Sequence, residues 1–138
     1  MLCAWLGFIS GCKNKISDSR DQFVGTWKEA VTLSIPELSI NEIVSKTETV
    51  TKTERRSNKI TLADLSNPAD VKHAVVNGHS IVFDELKRKK AKDGRIIVLR
   101  FNGKGKLKGA SLTVIGTVRA SSEGKVAHGT WTMTGFKQ

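Results

Sequence analysis

An all-β domain is what this sequence predicts, an antiparallel up-and-down barrel or barrel-like sandwich of about eight strands. Three observations carry that expectation. From Phe23 onward the chain consists of runs rich in Val, Ile and Thr, broken by Gly and Asn, with no long stretch of apolar residues at helical spacing. Asn77-Gly78 and Asp93-Gly94, both strong hairpin signals, fall between such runs. The triplet Gly-Thr-Trp occurs at Gly25-Thr26-Trp27 and returns at Gly129-Thr130-Trp131, which marks out first and last strands that meet.

The elements follow in order. Val24 to Leu33 is a strand with Trp27, Val31 and Leu33 on one face and Thr26, Lys28 and Thr32 on the other. Glu29 falls on the apolar face, so a bulge or a partner is needed there. Ile35 to Asn41 is a connection, because Pro36 lacks the amide donor a central strand requires. Ile43 to Thr53 has strong β character but a weak apolar face, which suggests an edge or solvated strand. Lys59 to Leu65 is the next strand. Ser66 to Asp70 is a turn leading into Val71–Val76, although Asn67 and Pro68 would also suit the start of a short helix. Ser80 to Phe83 follows the Asn77-Gly78 turn, and Leu86 to Asp93 carries a basic cluster. Arg95 to Phe101 is the most apolar strand. Gly103 to Gly109 sets Lys104, Lys106 and Lys108 on one face. The last pair of strands runs from Ala110 to Arg119 and from Lys125 to Phe136, joined by a turn at Ser121 to Gly124. In the final strand Ala127, Gly129, Trp131 and Met133 point one way, and His128, Thr130, Thr132 and Thr134 the other.

A chain of 138 residues suits one domain, which buries roughly 65–70% of its unfolded surface. The formal charge is +10, and every Lys and Arg lies after Cys12. Such a surface attracts anionic polymers and lipid head groups alike. Tyr is absent, so the core rests on Val, Ile and Leu with a few Phe and Trp.

Ahead of the domain, residues 1–12 form an uncharged apolar run ending at Cys12-Lys13-Asn14-Lys15. It is shorter than the roughly 20 residues a helix needs to cross a bilayer, and small residues before a break suit the end of a secretory signal. Ile9-Ser10-Gly11-Cys12 resembles the lipobox of bacterial lipoproteins: an aliphatic residue, two small ones that fit the peptidase, and a thiol able to carry diacylglycerol. The resemblance implies a signal remnant over 1–11, a lipid anchor at Cys12 with a tether to residue 22, and the domain from 23 to 138. It also implies a bacterial envelope location, on the outer membrane facing the periplasm in a Gram-negative cell.

Gly25-Thr26-Trp27 after a polar leader resembles the opening strand of the lipocalin and wider calycin group, where Gly-x-Trp closes the bottom of an up-and-down barrel. The resemblance implies a lipocalin-like domain in which Arg119 takes the part of the Arg that packs over that Trp. No Thr-Asp-Tyr signature follows, and the body is shorter than a typical lipocalin.

No catalytic motif stands out. His73, His79 and His128 are the only histidines and have no zinc-site spacing, there is no Gly-x-Ser-x-Gly elbow, and Gly103–Gly109 lacks the Lys-Ser/Thr ending of a phosphate loop. The expectation is therefore a non-enzymatic binding domain without metal or cofactor. A small apolar ligand would sit in a cavity lined by Trp27, Val31, Val98 and Trp131. Contact with anionic lipid, glycan or an envelope protein would fall to Lys87, Arg88, Lys89, Lys90, Lys92, Lys104, Lys106 and Lys108. Nucleic acid is not an expected partner, since stacking aromatics are missing from the basic cluster. A structural or inhibitory interaction module of the envelope is the alternative. A buried cluster of polar titratable groups would point instead to an enzyme.

Overall fold

A computed structural model describes residues 18–91 and 93–138. The apolar leader, the lipobox expected at Ile9 to Cys12, and Lys92 lie outside the described residues. Eight antiparallel strands form one closed meander: β1 (Gly25–Ile35), β2 (Ile40–Thr53), β3 (Lys59–Asp64), β4 (Val71–Asn77), β5 (Ser80–Lys90), β6 (Ile96–Lys108), β7 (Ser111–Ser122) and β8 (Lys125–Lys137). Each pairs with its successor, and β1 pairs with β8 to shut the barrel. The fold is the up-and-down barrel that the alternating runs predict.

Pro36–Leu38 is a single 3-10 turn between β1 and β2, with Ser39 in the left-handed region. Ser66 to Asp70 is a turn, not a helix. Asn77 pairs with Ser80, so the two loop residues of that hairpin are Gly78 and His79. The basic cluster continues β5 as far as Lys90, and Gly103 to Lys108 continues the strand that begins at Ile96. Of the segment expected as an edge or solvated strand, Ile43 to Thr53, the Glu48–Thr53 half is laddered to β3 inside the closed barrel, whereas Ile43 to Thr47 pairs with β1 alone and leaves its other edge free.

The repeated Gly-Thr-Trp triplets lie on paired strands, but the tryptophans do not meet. Antiparallel register sets Trp27 opposite Lys137 and Trp131 opposite Leu33, about 20 Å apart along the strand at ~3.3 Å per residue. They serve opposite ends of the barrel. At the lower end Phe23 and Trp27 are buried with Val50, Ile60, Leu62, Val76, Ile81, Val114 and Met133, and the Trp27 indole N–H donates to the Phe23 carbonyl over 2.8 Å.

The lower end is sealed by the 3-10 turn Ser19–Gln22, residues that the sequence places in the tether. Its Arg20 is only 3% exposed and donates to the carbonyls of Thr53, Glu54, Arg55 and Lys59, while pairing with Asp18. Arg119 does not take the packing role the lipocalin resemblance assigns: it is exposed on the outer face of β7, opposite Arg100 and His128.

At the upper end the interior is divided. On the β1, β6, β7 and β8 side it is apolar, with Leu33, Ile35, Ile97, Leu99, Val118, Ala120 and Ala127 buried. On the β2, β4 and β5 side it is charged.

Candidate ligand site

The charged side is open because β3 and β4 are short. β3 pairs with β2 only from Glu48 to Thr53, and β4 pairs with β5 only from Ala74 to Asn77. Beyond those residues the Ile40–Thr47 part of β2 and the Asp84–Lys90 part of β5 face each other without a ladder between them. The Ser66–Asp70 turn sits in the gap, held by the Leu65 N–H on the Thr47 carbonyl at 3.0 Å. Side chains span the rest: Lys87 pairs with Asp70, and Lys89 with Glu42.

Behind this slot lies a pocket of about 180 Å³, lined by Val31, Phe83, Phe101 and Trp131 together with Lys46, Asp70, Lys72, Glu85 and Lys87. Its floor is aromatic. Trp131 meets Phe83 and Phe101 edge to face, with centroids 5.6 and 5.8 Å away, the geometry that ring quadrupoles favour. The indole is seated by two paired glycines, Gly103 and Gly116. A Cβ at Gly103 would come within 2.6 Å of the ring, and one at Gly116 within 2.4 Å of its Nε1. The indole N–H donates to the Asn102 carbonyl over 3.2 Å.

Next to the pocket four titratable side chains from three strands converge. Glu29 of β1 and Glu48 of β2 are 4% and 0% exposed. Lys72 of β4 places Nζ 3.1 Å from Glu48 Oε1, and Lys46 of β2 places Nζ 3.5 Å from Oε2. The four carboxyl oxygens of Glu29 and Glu48 are buried and have no hydrogen-bond partner by geometry among the described residues.

Two carboxylates buried together cannot both be charged cheaply. Burial, then the adjoining Glu48, pushes Glu29 up to about 9, so Glu29 holds a proton at neutral pH. Burial alone would raise Glu48 too, but the proton on Glu29 and the charges of Lys72 and Lys46 outweigh it and hold Glu48 below the ordinary range. Burial pulls Lys72 below the usual lysine value despite Glu48. Lys46 loses less to burial and is raised by Glu48.

Of the four residues proposed to line a ligand cavity, Val31 and Trp131 do so. Trp27 lies in the packed lower core, and Val98 is on the outer face of β6, opposite Arg88 and Ser121. The basic cluster divides by strand parity. Lys87 and Lys89 turn to the slot and are paired, while Arg88 and Lys90 alternate with them on the other face. Lys104, Lys106 and Lys108 share the exposed outer face of β6, where Lys104 stands between Val82 and Ile115. The three histidines are apart: His73 beside Glu85, His79 on Gln22, and His128 opposite Arg119.

Lys46, Glu48, Asp70, Lys72, Glu85, Phe83 and Phe101 are site residues that the sequence reading did not single out. A signal for the buried charges was present. Glu42, Lys46 and Glu48 share the parity of Val50, and Lys72 that of Ala74 and Val76, so these charged residues alternate in phase with core positions.

The molecule is thus an eight-stranded up-and-down barrel with an aromatic-floored pocket at one mouth and a buried charged cluster in its wall. No family model matches the chain, and no curated protein matches its sequence. Among solved structures it is similar to a protein of unknown function from the DUF3598 family of Nostoc punctiforme, with TM-score 0.50 and 12% identity over 91% of this chain and 51% of that one. The chain spans about half the length of that neighbour, and at this identity the likeness concerns the fold alone.

Proposed function

We propose that the barrel is a non-enzymatic binding domain for a small, largely apolar ligand, carried on a bacterial envelope lipoprotein anchored through Cys12, and that the buried Glu29, Glu48, Lys46 and Lys72, a cluster of the kind that would point to an enzyme, serve as the wall of its pocket. The observation that carries the ligand reading is the pocket floored by Trp131, Phe83 and Phe101 and open at the slot between β2 and β5. Its 180 Å³ falls below the ~300–1,000 Å³ of pockets that enclose drug-sized molecules. A single aryl group or the end of an aliphatic chain suits it, since a ~150 Å³ apolar cavity accepts benzene.

Native mass spectrometry of the full chain, purified from its host without detergent exchange or denaturation, tests this. A bound small molecule is expected on the wild type and not on Val31→Phe, which fills the pocket. A ligand-free wild type, together with no shift of the Trp131 indole resonance across a panel of small apolar compounds, would refute the reading.

A second surface supports the envelope placement. Arg55, Arg56, Lys59, Lys106 and Lys108 lie at or beside the lower hairpins, are exposed, and have no acidic partner among the described residues. Residue 18 enters at that same end. A chain tethered there to a bilayer would turn these cations toward anionic head groups and the pocket mouth away from them.

A further inference from the structure

The gap between β2 and β5 leaves main-chain groups unpaired as well as opening the pocket. Alternate residues of a strand direct their N–H and C=O groups to opposite neighbours. The Thr47 carbonyl accepts from Leu65 on the β3 side, so Asn41, Ile43 and Ser45, of the same parity, turn theirs that way too. Among the described residues no strand is laddered to them there: β2 pairs with β1 from Ile40 to Val50, whereas its pairing with β3 begins at Glu48. A free edge of this kind is a template for another strand, and folded proteins guard such edges with charges or proline. From Ile43 to Ser45 this edge has neither. Ile43 is 75% exposed, and Val44, opposite Val31 and of inward parity, is still 48% exposed at this unladdered edge.

The far side of the gap is guarded, and by one sign of charge. Arg88 and Lys90 are exposed on the outer face of β5 and have no acidic partner among the described residues. The acids of that wall are engaged elsewhere. Asp84 pairs with Arg100 at 3.3 Å, Asp93 with Arg95 at 2.6 Å, and Glu85 accepts from the His73 main-chain N–H. Asp70 and Glu42 are taken by Lys87 and Lys89. A strand entering the gap thus meets a neutral, apolar edge on one side and unmatched cations on the other. A second copy of the chain is a poor occupant, because two molecules of formal charge +10 repel.

We infer that a partner protein adds an extended acidic segment to β2, as a strand along Asn41–Ser45. Its main chain bonds Asn41, Ile43 and Ser45. Its inward side chains are apolar and rest on Val44, next to Val31 of the pocket, and its outward carboxylates stand toward Arg88 and Lys90. In this mode main-chain bonds give affinity and alternate side chains give specificity. The inference goes beyond the small-ligand reading and holds whether or not the pocket is filled.

The probes are the blocked peptide acetyl-Glu-Val-Glu-Val-Glu-amide, its counterpart acetyl-Lys-Val-Lys-Val-Lys-amide, and the fully N-methylated acidic peptide, which has no N–H to donate. Each is titrated into the full chain by calorimetry, with amide hydrogen exchange followed at single residues. The acidic peptide is expected to bind at least about tenfold more tightly than either of the others, to slow exchange at Ile43 and Ser45, and to weaken with salt. Ile43→Pro removes an amide donor from the free edge and none from the β1 ladder, so it should fold and lose peptide binding by at least about tenfold. Arg88→Gln/Lys90→Gln should lower the affinity by about threefold or more and flatten its salt dependence.

Equal binding of the acidic and lysine peptides would overturn the inference, as would equal binding of the N-methylated form or unchanged affinity in folded Ile43→Pro. Absence of binding by the acidic peptide would overturn it too. So would a concentration-dependent dimer of the free chain that protects Ile43 and Ser45, since the occupant would then be a second copy. None of these results touches the small-ligand reading, which native mass spectrometry decides. If Ile43→Pro does not fold, the comparison of the three peptides on the wild type still decides.

Discussion

Glu29 is the residue on which the sequence and the structure converge most closely. It stands on the apolar face of β1, between Trp27 and Val31, and such a carboxyl needs a bulge or a partner. The strand has no bulge: β1 runs in register with β2 from Gly25 to Ile35. Glu48 is the partner, with Lys46 and Lys72 around it.

The proton on Glu29 has a thermodynamic consequence. The folded chain keeps it up to about pH 9, whereas an exposed glutamate releases it near 4.5. Between those limits the folded form binds more protons than the unfolded form, so this residue's stabilising contribution is complete below about 4.5 and is lost as pH rises toward about 9. The slope is at most about 1.4 kcal/mol per pH unit. Glu29→Gln keeps a neutral donor beside Glu48 and has no proton to lose. Urea midpoints measured from mildly acidic to mildly alkaline pH should show the variant gaining on wild type as pH rises. Parallel curves would mean that Glu29 is ionised in the fold.

At the scale of elements, the unequal strand lengths make the site. Had β3 and β4 matched β2 and β5, a continuous ladder would close the wall and bury Lys72 and Lys87 without access. The six-residue β3 and seven-residue β4 leave the gap instead. On the opposite wall the glycines facing across β6 and β7 set the position of Trp131.

Gly116→Ala would place a methyl 2.1 Å from the Asn102 carbonyl oxygen and 2.4 Å from the indole Nε1, both in close-packed surroundings. A loss of about 1–3 kcal/mol is expected, with a shifted Trp131 indole resonance. Thr117→Ala, exposed on the outer face next door, should stay within ~0.5 kcal/mol of wild type. Equal effects of the two would show that the glycine pair does not seat the tryptophan.

For the whole molecule, closure by β1 and β8 gives the barrel two unlike ends. The lower end holds Arg20, the packed Trp27 and the free basic side chains. The upper end holds the pocket. On the lipoprotein proposal, Cys12→Ala should move the protein from the membrane fraction to the soluble one. In that soluble form, Lys59→Gln/Lys106→Gln/Lys108→Gln should weaken sedimentation with phosphatidylglycerol vesicles by about 1 kcal/mol per lysine, an effect that salt screens. Membrane retention of Cys12→Ala would refute the anchor. Unchanged vesicle binding of the triple variant would refute the basic face.

Much of this molecule was legible in its residues. Alternation in the final strand and the lysine face of β6 stand as read, because a pleated strand sends successive side chains to opposite sides whatever surrounds it. The turn signals and the two Gly-Thr-Trp triplets likewise marked the hairpins and the closing strands. Tertiary structure alone decided which residues meet across the barrel. Antiparallel register drew the two tryptophans apart, and closure set Lys87 and Lys89, inward by parity, against Asp70 and Glu42. It also brought Glu29, Lys46, Glu48 and Lys72, scattered over three strands, to one place. Local sequence prescribes the face a residue takes, but its neighbours depend on register and closure, which long-range pairing settles.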